Sequence, residues 1–335
     1  MFFDLIKRRT VWNHEKAPRL GRSLSGSGTR RPRAGRGTIP RGMENNGVTR
    51  RLVLVMCLLG SAAVAAQDRP LPDQESFLRQ ARTHLQTDAS LQSSYMYVET
   101  RREQKLDKQG RVKEDALRVY ENYPGLPGEP RWERLVAEKG EPVSAERLEK
   151  QDRDRRKEAE AFARRLEAEP ARERTRQQRE SEKQRREREE QIDDIFVVFD
   201  IRMLGREAIE GHDTIAFSLT PRPDAKPKTS EGSQMRKFAV RAWISESDHE
   251  LVRLEAEAVD TLSWGLGLLA RLHKGAKLSF LRRKVNGEVW LPAVWSYSGS
   301  ARVGLFWMIR RSGTSEYSGY RKFAVDTATT FKAPQ

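Results

Sequence analysis

Cysteine is almost missing from this chain. One residue in 335, Cys57, carries a thiol, so no disulfide can form within the chain and a fold in an oxidising compartment must hold by burial. Motifs for common chemistries are also missing. The five histidines (His14, His84, His212, His249, His273) show no H-x-x-x-H and no carboxylate at metal-ligand spacing, so neither a metal nor a cofactor is implied. There is no G-x-S-x-G elbow, no G-x-x-x-x-G-K-[ST] loop and no G-x-G-x-x-G after a strand; Gly265-Leu266-Gly267 sits in an apolar stretch and is a weak signal. These absences weigh against an enzyme. No apolar run reaches the roughly 20 residues of a membrane-spanning helix either.

What is present near the N-terminus is the grammar of export. Thr49-Arg50-Arg51, the apolar run Leu52 to Leu59 and the small residues Gly60 to Ala66 follow the order basic start, short hydrophobic core, peptidase site. Cleavage after Ala65 or Ala66 removes Cys57 with the leader. A bulky Met56 before that cysteine argues against a lipid anchor there. The Arg50-Arg51 pair echoes the twin-arginine signal, while the strongly apolar run favours the general secretory route; both stay open. Residues 1–42 are basic, Gly-containing and unable to bury a core. They read either as a polyanion-binding arm or, preferably, as an extension upstream of a start at Met43.

Charge sharpens this division. The chain holds 63 Lys and Arg against 48 Asp and Glu, but residues 1–66 take 13 of the first and 3 of the second. The remainder carries 50 against 45, an ordinary balance that removes the main support for nucleic-acid binding. Residues 67–143 then predict a helix capped by Asp73, with Phe77, Leu78, Ala81 and Leu85 on one face. A hairpin follows, turning at Asp107-Lys108-Gln109-Gly110, and a third strand over Arg131 to Glu138. From Ser144 to Gln191, 30 of 48 residues are charged, 16 of them basic and 14 acidic. That composition predicts a solvated helical insertion, kinked or divided at Pro170, without the sustained heptads of a coiled coil.

Residues 192–335 alternate in strand fashion. Eight strands are expected: Phe199–Glu207, Thr214–Thr220, Lys237–Ser245, Glu250–Asp260, Ala276–Lys284, Glu288–Ser298, Ala301–Arg311 and Glu316–Val325. The turns would fall at Gly211-His212-Asp213, Ser247-Asp248-His249, Asn286-Gly287 and Gly299-Ser300. The late strands read as apolar on both faces, with Val289, Leu291, Ala293, Trp295 and Tyr297 on one and Trp290 and Val294 on the other. Such a sheet needs two covers, one from the first helix or from Leu262 to Leu272, another from a ligand or a membrane. The fold class is mainly β (α+β): an antiparallel incomplete barrel with an N-terminal helix and a charged helical insertion.

One stretch supports a family resemblance. Ala242-Trp243-Ile244-Ser245-Glu246-Ser247-Asp248-His249-Glu250-Leu251-Val252-Arg253-Leu254-Glu255, with the export signal and the single helix before the sheet, resembles the LolA/LolB-like superfamily of exported half-barrels. The resemblance implies an incomplete barrel whose concave face takes up lipoprotein acyl chains or other lipids. The insertion at Ser144 to Gln191 departs from that pattern.

On this reading the chain is an exported periplasmic carrier or chaperone for an apolar ligand, with a lining drawn from Trp243, Leu254, Leu278, Phe280, Trp295, Tyr297, Leu305 and Trp307. The alternative is an envelope scaffold or sensor that binds a protein partner through the charged helix. Expected partners are a lipid or lipidated protein, an envelope protein through 144–191, and peripheral membrane contact, with no nucleic acid. An unrecognised hydrolase comes third. The leader itself makes a testable statement: protein recovered from the periplasm should begin at Ala66 or Gln67 by N-terminal peptide mapping, and a mature chain retaining Arg50 would refute it.

Overall fold

The structure, a computed structural model, describes residues 69–85, 93–125, 131–168, 171–264, 270–304 and 307–322. The chain divides into two units, Met1–Pro70 and Leu71–Gln335; the architecture is that of the second. Helix α1 (Gln74–His84) opens it, and strands β1 (Tyr95–Leu106), β2 (Val112–Tyr123), β3 (Trp132–Glu138) and β4 (Glu141–Pro142) follow. Two helices, α2 (Ala145–Glu167) and α3 (Ala171–Val198), precede β5 (Phe199–Ile209) and β6 (His212–Pro221). A short helix α4 (Ser230–Met235) leads to β7 (Phe238–Ser245), β8 (Leu251–Ala258), β9 (Leu262–Trp264), β10 (Ala270–Leu272), β11 (Lys277–Val285), β12 (Val289–Val303) and β13 (Trp307–Lys322).

All pairings are antiparallel, in the order β4-β3-β2-β1-β13-β12-β11-β8-β7-β6-β5, with β10 on β12 and β9 on β10. Edge strands β4 and β5 do not pair, so this is an open sheet, an incomplete antiparallel barrel. Local sequence explains the hairpins. At Asp107 the carboxylate accepts from the backbone N–H of Gln109 (2.8 Å) and Arg111 (2.9 Å), closing the expected first turn. Glu210-Gly211 and Asn286-Gly287 both have positive φ at both residues, as a two-residue turn between twisted strands requires.

Gly299-Ser300 behaves differently from expectation. No turn forms there; β12 runs through it to Val303, and β13 likewise passes Gly313, so the three late strands expected are two long ones. The two glycines serve close approach instead. A Cβ on Gly299 would lie 2.8 Å from the Ala276 Cβ, and one on Gly313 would lie 2.5 Å from the Tyr297 ring. The β9–β10 hairpin and α4 were not anticipated, and the β9–β10 connection, 265–269, lies outside the described residues.

Helix α1 is capped as expected: Asp73 Oδ1 accepts from the Ser76 N–H at 2.9 Å. Its buried residues Phe77 and Ala81 face the sheet, where Phe77 packs with Ile215 and Phe217 against Leu78, Ile201, Met203, Leu219 and Ile244. The charged segment forms two helices, the second running seven residues past Gln191. Near its end, buried Asp194 accepts from the N–H groups of Lys228 and Thr229 (2.8 Å each) and from the Thr229 hydroxyl (2.6 Å). Thr229 caps α4, so this one carboxylate ties α3 to the β6–β7 connection.

Two glutamines finish the sheet's margins. On α1, Gln74 donates from Nε2 to the Ile201 carbonyl (3.1 Å) and accepts at Oε1 from the Met203 N–H (2.9 Å) on edge strand β5. On α2, Gln151 does the same with both backbone groups of Leu135 on β3 (2.9 and 3.0 Å), beyond the reach of the two-residue β4. A primary amide has the donor and acceptor that a neighbouring strand would present, so each side chain substitutes for one rung of a ladder. Gln74→Ala should lower stability by roughly 2 kcal/mol, because two edge groups lose partners, while Gln74→Glu, which accepts but cannot donate, should lose less. Urea midpoints test this; an unchanged midpoint for Gln74→Ala would show that the amide is dispensable.

Candidate binding face

Because directly paired residues share a face of the sheet, the register traces one row across ten strands: Met203, Phe217, Ala242, Leu254, Phe280, Trp295, Ser315, Arg101, Arg118, Glu138. This is the face on which α1 lies, since Met203 and Phe217 pack against Phe77. A second row beside it runs Leu219, Val240, Ala256, Leu278, Tyr297, Gly313, Glu103, Ala116. From β6 to β12 both rows are apolar; from β13 on the first is polar throughout and the second carries Glu103 between Gly313 and Ala116. On the other face the corresponding row is Ser218, Arg241, Glu255, Ser279, Ser296, Thr314, Arg102. That row is polar, but beside it Leu281 pairs with Val294, and Val289 and Leu291 are buried with Tyr95, so the late strands are apolar on both faces in places, as expected, with Val289 and Leu291 on the face opposite Trp295.

A bulge accounts for part of that difference. The register slips between Leu281 and Arg282, so Phe280 pairs with Trp295 and Lys284 with Trp290. Phe280 and Lys284 are four apart and share a face; their partners therefore do too. Simple alternation from Trp290 would have put the two tryptophans on opposite sides.

Five of the eight lining candidates are gathered: Leu254, Leu278, Phe280, Trp295 and Tyr297 lie in the two adjacent rows. Trp295 is 2% exposed, Leu278 and Tyr297 are buried, and Leu254 and Phe280 are half-buried. The Phe280 and Trp295 rings meet edge to face, 6.0 Å apart, and Tyr297 lies over Gly313. The protein's own side chains fill most of this surface. The indole N–H of Trp295 is nonetheless buried without an acceptor among the described residues.

The other three candidates lie apart. Trp243 pairs with Arg253 on the opposite face, donates to Glu207 Oε2 at 2.8 Å and is flanked by Arg241 and Arg253, 4.7 and 5.0 Å from its ring; this polar cage is a packing role. Trp307 starts β13 and is 74% exposed. Leu305 lies outside the described residues.

The polar half of the face centres on Glu99, fully buried and gripped by Arg101 through two hydrogen bonds of 3.0 and 2.9 Å. Arg101 also meets Glu133 at 3.2 Å and lies 4.4 Å from the Tyr120 ring. Its partners hold the guanidinium firmly charged even though burial opposes it.

At the end of the sheet beside α1 is a constellation that sequence spacing concealed. Arg282, buried, donates to Glu250 (3.0 Å) and to the carbonyls of Leu251 (3.0 Å) and Trp290 (2.7 Å). His84 from α1 reaches Glu250 at 3.4 Å, and its ring is 6.3 Å from that of His249, which packs on Phe77 at 4.8 Å. Burial and the neighbouring His84 lower the His249 pKa against the opposing pull of Asp248. The two histidines are 165 positions apart, so only the docking of α1 brings them together.

Asp248 anchors the same turn. Its Oδ2 accepts from Lys284 Nζ (2.7 Å) and Trp290 Nε1 (2.8 Å), and Oδ1 from Ser247 (2.6 Å). Burial raises its pKa, but these bonds together outweigh it and hold the carboxyl at about 2.

No family model matches the sequence, and no curated protein matches it. Solved structures do match, among them LolA-superfamily proteins, the family the sequence resembles. One is a domain assigned as an outer membrane lipoprotein-sorting protein from Vibrio parahaemolyticus (10% identity, 77% of this chain and 95% of that one, TM-score 0.30). Another is a LolA superfamily protein from Nitrosomonas europaea (10% identity, 77% and 96%, TM-score 0.24). A third is the MucA/MucB complex of Pseudomonas aeruginosa (9% identity, 75% and 99%, TM-score 0.21). At such identities and TM-scores these matches transfer no ligand, partner or residue role.

The Asp248 network has a pH signature. A carboxyl whose folded pKa is below its unfolded value of 3.8 contributes stability above that value and loses it as pH falls towards 2. Asp248→Asn should cost roughly 1–2 kcal/mol at pH 7, and the gap to the native protein should narrow between pH 4 and 3 in denaturant titrations. A gap constant across that range would remove the carboxylate from the account.

Proposed function

We propose that this chain is an exported, non-enzymatic binding protein of the periplasm that holds an acyl chain or other apolar ligand against the face lined by Leu254, Leu278, Phe280, Trp295 and Tyr297. The observation that carries the reading is the apolar half-row from Met203 to Trp295, which ends at a buried indole N–H lacking an acceptor among the described residues. Each buried methylene gains about 0.8 kcal/mol, so such a face binds without any reacting group. A ligand carbonyl or carboxylate at the chain's end would satisfy the indole. Entry is by displacement: Leu254 and Phe280 are the half-buried members, and a chain inserting beside them has to move side chains that now fill the surface. Processing after Ala65 or Ala66 would deliver the protein to a compartment where acylated proteins need solvent shielding.

A second reading rests on the helical insertion. Every residue from Gln178 to Glu190 is exposed, while Gln151 and Asp194 fasten the insertion at either end. A solvated arm held so firmly suits a protein partner. Shortening α2 and α3 with Gln151 and Asp194 retained should leave lipid uptake intact, whichever reading holds for the arm.

Native mass spectrometry of the mature protein with a lipid extract tests the first reading, together with titration by a fatty acid and by an alkane of equal length. The native protein should bind both, and Trp295→Phe should weaken the fatty acid about fivefold and leave the alkane unchanged. If neither ligand binds the native protein, the carrier reading fails.

A further inference from the structure

Trp295 brings a neutral donor into the middle of the apolar face: its indole N–H is buried and has no acceptor among the described residues. The cations that share this face are all engaged. Two residues along β11 from Phe280, and on the same face, Arg282 is buried and donates to Glu250 (3.0 Å) and to the carbonyls of Leu251 and Trp290. In the other direction Trp295 is in register with Ser315, and Ser315 with Arg101. The Arg101 guanidinium is divided between Glu99, through bonds of 3.0 and 2.9 Å, and Glu133 at 3.2 Å. Farther out, Arg206 pairs with Glu246 at 2.7 Å, and Arg131 donates to the carbonyls of Ser93 and Tyr95 and lies 4.9 Å from the Tyr97 ring. Arg311 is in register with Lys105, beside the Lys105–Glu114 pair, about 13 Å along β13 from Ser315.

The charge balance around the indole therefore leans negative, with two carboxylates facing one guanidinium at Arg101. A carboxylate or phosphate entering beside Trp295 would leave water with no cation to receive it, or would have to take an arginine from Glu99 or Glu250. Both of those carboxylates are buried, and a buried charge stripped of its partner is costly. An ammonium group meets the opposite difficulty, because it has no lone pair to offer the indole N–H. A neutral carbonyl meets neither: it accepts one hydrogen bond and adds no charge.

We infer, resting on the binding role proposed above, that this face selects acyl chains by the charge of their polar end: it takes acyl esters and amides, whose carbonyl accepts from Trp295 Nε1, in preference to free fatty-acid anions and chains ending in phosphate. Discrimination comes from the buried Arg101–Glu99 and Arg282–Glu250 pairs, which leave the face no cation to give. The indole supplies the one bond that a neutral ligand needs.

Calorimetric titration of the mature protein with decane, decanoic acid, methyl decanoate and N-decanoyl glycinamide tests it, at about pH 8 where the acid is ionised. Methyl decanoate should bind about tenfold more tightly than decanoic acid. Trp295→Phe should weaken the ester about fivefold and leave decane unchanged. Glu133→Gln, which removes the exposed carboxylate from Arg101, should tighten decanoic acid about threefold and leave the ester unchanged. The two carbonyl ligands distinguish a glyceride-like ester from an N-acylated chain as the source, and either binding more tightly than the acid upholds the inference. Decanoic acid binding the native protein as tightly as the ester and the amide overturns the charge selection while the carrier reading stands. An ester affinity indifferent to Trp295→Phe overturns the part given to the indole. If none of the four binds, the carrier reading fails and this inference with it.

Discussion

An open sheet has two liabilities, a greasy face and two unpaired margins, and the rest of this structure follows from how both are met. Closure would have removed the margins at once. Here two glutamines, one from each of two helices far apart in sequence, supply the missing backbone partners, Gln74 at β5 and Gln151 at β3. The helices that carry them are thereby pinned in place: α1 lays Phe77 on β6, and α2 brings the charged insertion against β3, where Arg134 pairs with Asp152 at 2.8 Å. The amphipathic burial of α1, worth about 1.5–3 kcal/mol for Phe77 alone, and the edge bonds of Gln74 are one device.

The covered face is divided along the strand order. α1 dries the β5–β7 end, the aromatic cluster around Trp295 occupies the middle, and an ion-paired network around Glu99 takes over beyond β13. A buried carboxylate such as Glu99 is tolerated only with close compensation, and Arg101 supplies it bidentately. This gradient from apolar to polar along one row gives the face a direction. The same face is largely filled by protein side chains, so any binding must exchange one set of dispersion contacts for another.

Much of the fold was legible before any coordinates. Asp73 as a cap, the Phe77 face, the first hairpin turn and the Asn286-Gly287 turn all follow from local chemistry that acts over a few residues. Glycine was a source of error at Gly299, expected in a turn but needed because Ala276, 23 positions away, presses on the backbone; Gly313 likewise makes room for the Tyr297 ring, 16 positions away. The apolar face was legible in part. Five of the eight candidates share it because 278–280 and 295–297 lie on one side of the bulge; Trp243 is buried too, but on the other face, among Arg241, Arg253 and Glu207.

From sequence alone came the class of the fold and the charged insertion, because these depend on composition and on periods of two or 3.6 residues that any chain carries within itself; the expected export leader, 43–66, lies outside the described residues. Tertiary structure decided which strands are continuous, which side each tryptophan takes after the bulge at Leu281, how His84 meets His249, and that Trp307 stands in solvent at the start of β13. Those outcomes depend on register between distant segments, and one slipped residue moves a side chain to the other face of the sheet.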